Sequence, residues 1–433
     1  MNDIDGVPSS GRRRTAVIIG AGFGGLAAAV RLGAKGWDCV LLDKLDTPGG
    51  RATAHREAGR RFDLGPTIVT APHLFADLRT LAGKRMEDDI DLRPTLPFDT
   101  IKFQNGASFS TSGDTEAMEA EVTELSPDDL PGYRKFLADG RRRHGVGFEN
   151  HGRRPMHDFW DFLKTLPTFA WLRADRSVHG LAARRVKDPR LRMALSFHPL
   201  FIGGDPFRVT SIYSLVAFFE KTWGVHGVIG GCAALAEGMA GLVRGQGGRV
   251  RLGVEVDRIL VENGRAVGVS LADGGEIRAD IVVSGADAGH TYMRLVRERP
   301  KKRWTDARLK RMRWSMSLFV WHFGAKGTRG MWSDIGRHTI FSGPRHGELV
   351  RDIFRRGHLA DDMSVYLHRP TVIDPTAAPE GGMRSTPSRR RRIRALAMAS
   401  TGARRPNPAA SWSKPSWKST SPALPTGSRR AMR

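Results

Sequence analysis

The stretch Thr15-Ala-Val-Ile-Ile-Gly20-Ala-Gly-Phe-Gly-Gly25 decides the fold. Thr15 to Gly20 is a β-branched apolar run, the composition of a strand buried in a parallel sheet. It runs into Gly20, Gly22 and Gly25, spaced G-x-G-x-x-G, with Phe23 and Gly24 between the last two. Leu26 to Lys35 is an Ala-rich helix ending at Gly36, and Asp38 to Asp43 is a second buried strand that ends on an acid. The unit from Thr15 to Asp43 is a compact βαβ. Gly20 permits the tight turn, Gly22 lets a pyrophosphate approach the backbone, and Gly25 lets the helix pack closely on the strand. The helix N-terminus offers unpaired N–H groups and a partial positive charge to phosphates. Asp43 is placed to accept hydrogen bonds from a ribose hydroxyl pair. A lone glycine motif is a weak signal. With both strands, the helix and the terminal acid present, it predicts a dinucleotide site.

Outward from that unit, Gly49-Gly50-Arg51 follows Pro48, and then comes Phe62-Asp63-Leu64-Gly65-Pro66-Thr67. A nicotinamide domain would continue here into another βαβ unit. Instead the glycine pair and Arg51 offer a second phosphate-approach point with a permanent cation. Residues 76 to about 225 change character. Arg79 to Leu92 and Ser126 to Arg143 read as helices, Ile101 to Phe109 as a hairpin around Asn105-Gly106, and Pro167 as a breaker in an aromatic run. His198 and Asp205 are a tempting catalytic pair, but the Pro and two Gly between them fix no geometry. A structural histidine and a turn aspartate are the plainer reading, with Phe197, Leu200, Phe201 and Ile202 as an apolar wall. His144, His151 and His157 lack zinc spacing and read as loop residues.

From Gly230 the nucleotide fold resumes. Ala233 to Gln246 is an amphipathic helix, Val250 to Val256 a strand, Asp257 to Leu271 a hairpin turning at Asn263-Gly264, and Asp280 to Gly285 a returning buried strand. The fold class expected is therefore α/β: a discontinuous Rossmann-like dinucleotide-binding domain with a β-meander, interleaved with a mixed α+β substrate domain. The boundaries are 1–14 (flexible N-terminus), 15–75 and 226–290 (dinucleotide-binding), 76–225 and 291–382 (substrate and membrane-facing), and 383–433 (a basic disordered tail).

Composition agrees with an enzyme. The chain has 433 residues, 40% of them apolar, and a net charge of +24. Eleven Arg and two Lys, with no acid, fall in 383–433, so the other 382 residues carry only +11. That removes the main support for nucleic-acid binding, and no nucleic acid is expected as a partner. Two cysteines, Cys39 and Cys232, suit a reducing compartment. The first long uncharged stretch, Ala16 to Val30, is too short and too glycine-rich to span a bilayer.

Glycine motif, acid and G-G-R together resemble the flavoproteins that include amine oxidases and carotenoid desaturases. DTPGGRA (Asp46 to Ala52), FDLGPTIVT (Phe62 to Thr70), SFHPLFIGGDPF (Ser196 to Phe207), SGADAGHTY (Ser284 to Tyr292) and VYLHRPTVIDPTAAPEGG (Val365 to Gly382) narrow this to the bacterial-type phytoene desaturase family. The resemblance implies FAD as cofactor, held by Gly20, Gly22, Phe23, Gly24, Gly25, Asp43, Lys44, Gly50, Arg51, Gly65, Pro66, Thr67 and the backbone near Val256. It implies dehydrogenation of phytoene, a long apolar polyene, toward neurosporene or lycopene, with a quinone or oxygen as electron acceptor. It implies a cytoplasmic enzyme, peripheral at the inner face of the cell membrane, from whose surface the substrate comes. Arg153, Arg154, Arg184 and Arg185 are candidate attachment groups. No metal is required and no catalytic residue is assigned. A desaturase or isomerase of a modified carotenoid and a non-catalytic remnant with weak nucleotide binding or a basic-tail role stay open. After Gly382 the family's usual C-terminal motif gives way to Arg, Ser, Pro and Ala, as out-of-frame translation of a GC-rich gene would produce, and impaired activity is expected.

Overall fold

The computed structural model describes residues 13–57, 60–152, 159–297, 304–312, 314–316, 318–325, 332–358, 362–378 and 391–398. The βαβ unit forms as its pattern dictates: β1 (Thr15–Ile19), α1 (Phe23–Ala34) and β2 (Asp38–Leu42). Ile281–Ser284 pairs parallel with β1 on one side, and Arg249–Arg251 pairs parallel with β2 on the other. Segments more than 200 residues apart thus share one four-stranded parallel sheet. Helix Gly231–Gly245 packs with α1 over one face through Leu26, Ala29, Val30, Ala236, Met239 and Val243. The opposite face is covered by the antiparallel meander Val256–Glu262, Arg265–Leu271 and Glu276–Arg278, through Val17, Val40, Leu42, Ile259 and Val269. This is the discontinuous α/β fold with a meander.

A second, mixed sheet of six strands lies apart from the first. Its order is Leu318–Ala325, Arg391–Met398, Val365–His368, His338–Ser342, Thr100–Phe103 and Ser108–Ser110. Ile101, Phe109 and Ile340 bury against helices Thr115–Leu125, Leu130–Arg143 and Val178–Arg185, forming the largest apolar cluster.

Several local expectations are corrected. The helix expected over Arg79–Leu92 runs instead over Pro72–Leu81. Pro72 sits in its first turn, where the missing N–H costs nothing. Pro167 lies inside helix Phe159–Trp171 rather than breaking it. The strand expected to end at Val256 stops at Arg251, because Gly253 turns the chain at φ +70°, and Val256 opens the next strand. In the basic segment, 391–398 departs from the expected lack of strand structure, pairing with both Leu318–Ala325 and Val365–His368. Between those two strands lay open backbone edges, and pairing satisfies them without any side-chain pattern. The rest of 383–433 lies outside the described residues.

Candidate functional site

Gly20 ends β1 at φ +94°, and its N–H bonds Leu42 O at 2.7 Å, so the turn closes over the end of β2. A Cβ on Gly25 would stand 1.9 Å from Gly20 O, so only glycine lets α1 approach the turn. Gly22 and Gly24 face open space: a Cβ would meet nothing nearer than 4.0 Å at the first and nothing within 4 Å at the second. Phe23 offers only its backbone, because its ring packs edge-on against Phe75 at 5.4 Å.

The structure brings the second glycine pair against the first. Gly22 and Gly49 form an isolated parallel bridge, Gly49 N–H donates to Ala21 O at 2.7 Å, and a Cβ on Gly50 would lie 3.3 Å from Gly22 Cα. Gly65 then passes so close to Arg51 O that a Cβ would sit 1.7 Å from it. Three segments far apart in sequence therefore make one main-chain cradle. Pro66 is exposed and Thr67 half-buried at its rim. Arg51 is 88% exposed at its side chain and reaches Asp287 at 3.3 Å.

Asp43 has a structural duty as well. One carboxylate oxygen accepts Ala21 N–H at 2.6 Å and the other Leu45 N–H at 2.9 Å, tying the glycine turn to the end of β2. Lys44 beside it is exposed. Val256 is buried at the start of the meander, where it faces Leu271, while Val254 N–H donates to Asp43 O at 2.8 Å.

A buried ion network holds the start of helix Gly231–Gly245 beside this cradle. Arg61 bonds Asp63 at 3.3 Å and Asp374 at 2.8 Å, and Asp374 also accepts Gly230 N–H at 2.9 Å. Burial pushes the Asp374 carboxyl up, but hydrogen bonds from Thr376, Gly230 and Arg61 outweigh it and hold the group below its usual range. Asp63, Asp374 and Asp287 lie inside the motifs FDLGPTIVT, VYLHRPTVIDPTAAPEGG and SGADAGHTY, but their pairing with Arg61 and Arg51 could not be read from them.

His198 and Asp205 are not brought together as a pair. His198 Nε2 lies 3.1 Å from Glu220 Oε2, both buried, while Asp205 accepts Phe207 N–H in a turn. Burial would lower the His198 pKa, yet Glu220 and Asp99 raise it. Asp99 is buried nearby, and burial together with the Glu220 charge pushes it up to about 7. Next to this cluster lies an apolar cavity of about 40 Å³ lined by Phe197, Leu200, Phe201, Ile340, Val365 and Tyr366, among others. Tyr366 spans the two regions: its ring lines the cavity and its hydroxyl lies 3.1 Å from Thr67 Oγ1 at the cradle's rim. Among the described residues no cluster of three His, Cys, Asp or Glu suits a metal ion. His144 packs in an aromatic group with Phe148, Phe218 and Trp223. His157 and the His151 side chain lie outside what is described.

The cradle fits a dinucleotide: bare glycine backbone faces open space where phosphates need to approach, with α1 behind it. The sequence profile of the flavin containing amine oxidoreductases matches residues 23–355. A neurosporene-forming phytoene desaturase of Cereibacter sphaeroides is 59% identical over 366 residues, covering 84% of this chain and 71% of that one. A lycopene-forming phytoene desaturase of Pseudescherichia vulneris is 42% identical over 365 residues, covering 84% and 74%. Among solved structures, a Pyrococcus furiosus protein superposes with a TM-score of 0.58 at 18% identity, covering 89% of this chain and 79% of that one. Putrescine oxidase superposes with a TM-score of 0.54 at 14% identity, covering 90% and 76%. These last two likenesses establish the fold. The chain belongs to the phytoene desaturases of the flavin containing amine oxidoreductase family, and its cofactor is FAD.

Proposed function

We propose that this chain is a carotenoid desaturase that dehydrogenates phytoene toward neurosporene or lycopene. The observation that carries the reading is the 59% identity, over 84% of the chain, to a phytoene desaturase that forms neurosporene. FAD, when bound, supplies the hydride acceptor that an unactivated allylic C–H requires. The chain's own residues bind, orient and exclude water. Gly20, Gly22, Gly24, Gly25 and Gly50 present main-chain groups to the pyrophosphate, Asp43 and Lys44 flank the ribose, and Arg51 adds a cation. Gly65, Pro66 and Thr67 form the rim nearest the cavity, and the meander start at Val256 flanks the adenine. Phe197, Leu200, Phe201, Ile340 and Val365 keep that rim dry, so rate enhancement comes mainly from positioning. The domain boundaries given above belong to this same reading.

The polyene is insoluble in water, which favours a peripheral enzyme at the inner face of the cell membrane. Helix Phe159–Trp171 supports this: Phe159, Trp160 and Trp171 are 66%, 68% and 61% exposed, and Arg142 lies over the Trp171 ring at 5.4 Å. Aromatic rings beside basic groups suit the interface of an anionic bilayer. Of the four candidate arginines, Arg184 is exposed and Arg185 is engaged with Asp139 at 2.8 Å. Arg153 and Arg154 lie outside the described residues. No helix among the described residues is long and apolar enough to cross a membrane. A quinone or oxygen reoxidises the flavin.

The segment after Gly382 is read as out-of-frame sequence, with impaired turnover as the consequence. Reading the gene's other two frames tests that: no glycine-rich family motif downstream would sink it. For the function itself, the purified chain is mixed with FAD and phytoene-loaded liposomes, and products are followed by their lengthening chromophore. Yellow-to-red products, restored or raised by an in-frame C-terminus, are expected. A colourless chain that takes up no FAD in either form would favour the non-catalytic remnant.

A further inference from the structure

Strands His338–Ser342 and Val365–His368 pair antiparallel with His338 opposite His368 and Ile340 opposite Tyr366. Opposed residues point to one face, so all four side chains share it. Ile340 and Tyr366 line the apolar cavity there. The rings of Tyr366, His338 and His368 lie nearly parallel, with centroids 5.8 and 4.9 Å apart and interplanar angles of 9° and 7°.

A closed ring of hydrogen bonds runs through this stack. Arg337 Nε–H donates to His338 Nε2 at 3.0 Å. Arginine can only donate, so Nε2 is the bare nitrogen and the proton of the neutral imidazole sits on Nδ1. Burial, aided by the Arg337 charge, keeps His338 well below the usual histidine range, so this neutral form persists. His338 Nδ1–H therefore donates to the Tyr366 hydroxyl. The phenol's own hydrogen is then directed at Thr67 Oγ1, 3.1 Å away. Arg337 closes the ring by donating from Nη2 to Thr67 O at 3.0 Å. Thr67 is gripped twice, at its side chain through Tyr366 and at its main chain through Arg337.

We propose that Tyr366 is a positioning residue: clamped by His338 and Arg337, it holds the Gly65–Pro66–Thr67 turn rigid against the apolar cavity and pre-shapes it for the flavin. This rests on reading that turn as flavin-facing. The physical need is specific to an apolar substrate. A polyene offers no hydrogen bonds, so its register against the cofactor is imposed by walls alone, and a wall shared by both sites must not drift. Tyr366 meets both demands, with an apolar ring toward the cavity and a hydroxyl toward the turn.

The test uses the full chain, FAD titration followed by flavin fluorescence, and hydrogen exchange of peptides covering 65–69. Tyr366→Phe keeps the ring and removes the clamp. It is expected to weaken FAD binding roughly five- to tenfold, as the loss of one hydrogen bond would, and to speed exchange of the turn. Thr67→Val removes the same bond from the other end and should match it. His338→Leu should behave likewise, whereas His338→Asn, whose amide N–H can replace Nδ1–H, should recover most of the affinity and protection. Recovery by Asn but not Leu separates clamping from mere filling of space. Tyr366→Phe with unchanged exchange and unchanged FAD affinity would overturn the proposal. If the unmodified chain takes up no FAD, the flavin reading fails, and the exchange comparison still decides the clamp.

Discussion

Around Gly20–Gly25 the chain turns main-chain groups toward the candidate site, whereas around Tyr366 it presents side chains. The first region works by absence: glycines leave room that any Cβ would fill, as at Gly25 against Gly20 O. The second works by presence, through buried aromatic rings and ionisable groups that must all find partners. His198 with Glu220, and His338 with Arg337, Tyr366 and Thr67, are examples. The two regions therefore fail differently. A backbone cradle is lost by adding one carbon. A buried polar cluster is lost by removing one partner and stranding the others.

The largest effect is expected in the second region. His198→Ala leaves Glu220 buried beside Asp99 without its cation, and breaking a buried pair in this way costs about 3–5 kcal/mol. Urea unfolding should register it directly. A loss under about 1 kcal/mol would mean that the pair behaves like an exposed one and that the contrast is false. Next comes Gly25→Ala, which forces a Cβ against backbone and should cost about 1–3 kcal/mol and abolish FAD uptake. Its partner Gly24→Ala meets nothing within 4 Å and replaces glycine in a helix, so stability should hold or rise by up to about 1 kcal/mol. Equal losses from the two substitutions would break the cradle argument.

The comparison also explains what could be read in advance. Gly20, Gly22 and Gly25 lie within six residues, and each obeys a rule of local geometry, so the βαβ unit and its phosphate-approach turn were legible. The approach of Gly49–Gly50 to Gly22 was legible as chemistry, since G-G-R suggested a second contact, though not as a main-chain bridge. The clamp was not legible. Thr67 and Tyr366 are 299 positions apart and meet only because strand Val365–His368 packs beside the turn that carries Thr67. No local period encodes that meeting. His198 invited pairing with nearby Asp205, but its partner Glu220 comes from the end of a helix, Leu215–Trp223. Pro167, read as a breaker, sits inside helix Phe159–Trp171 because packing overrides propensity.

The buried cluster also responds to pH, as the glycine turn does not. Asp99 is pushed up to about 7 by burial first and the Glu220 charge second. An acid whose pKa is raised by folding favours the folded state while protonated. Its contribution is full below about 4, its ordinary value, and drains away as pH rises through about 7. Asp99→Asn keeps the neutral shape and cannot ionise. Near pH 4 its urea midpoint should match that of the unmodified chain, and at pH 8 it should lie higher. A difference that stays constant from pH 4 to 8 would place the Asp99 carboxyl in water-like surroundings.

The smallest effect is expected at Arg51, an exposed cation that the sequence placed beside the backbone-built region. With 88% of its side chain exposed and Asp287 as a solvated partner, its removal should shift stability by less than about 0.5 kcal/mol. Its influence on FAD is a matter of attraction through solvent, which salt screens over about 10 Å at 0.1 M. Arg51→Gln should weaken FAD binding a few-fold at low salt, with the deficit shrinking as salt is raised. The glycine substitutions should show no such salt dependence, because a steric block is indifferent to screening. An Arg51→Gln deficit that persists unchanged in high salt would mean that the guanidinium makes a direct, desolvated phosphate contact. The first region would then depend on a side chain after all.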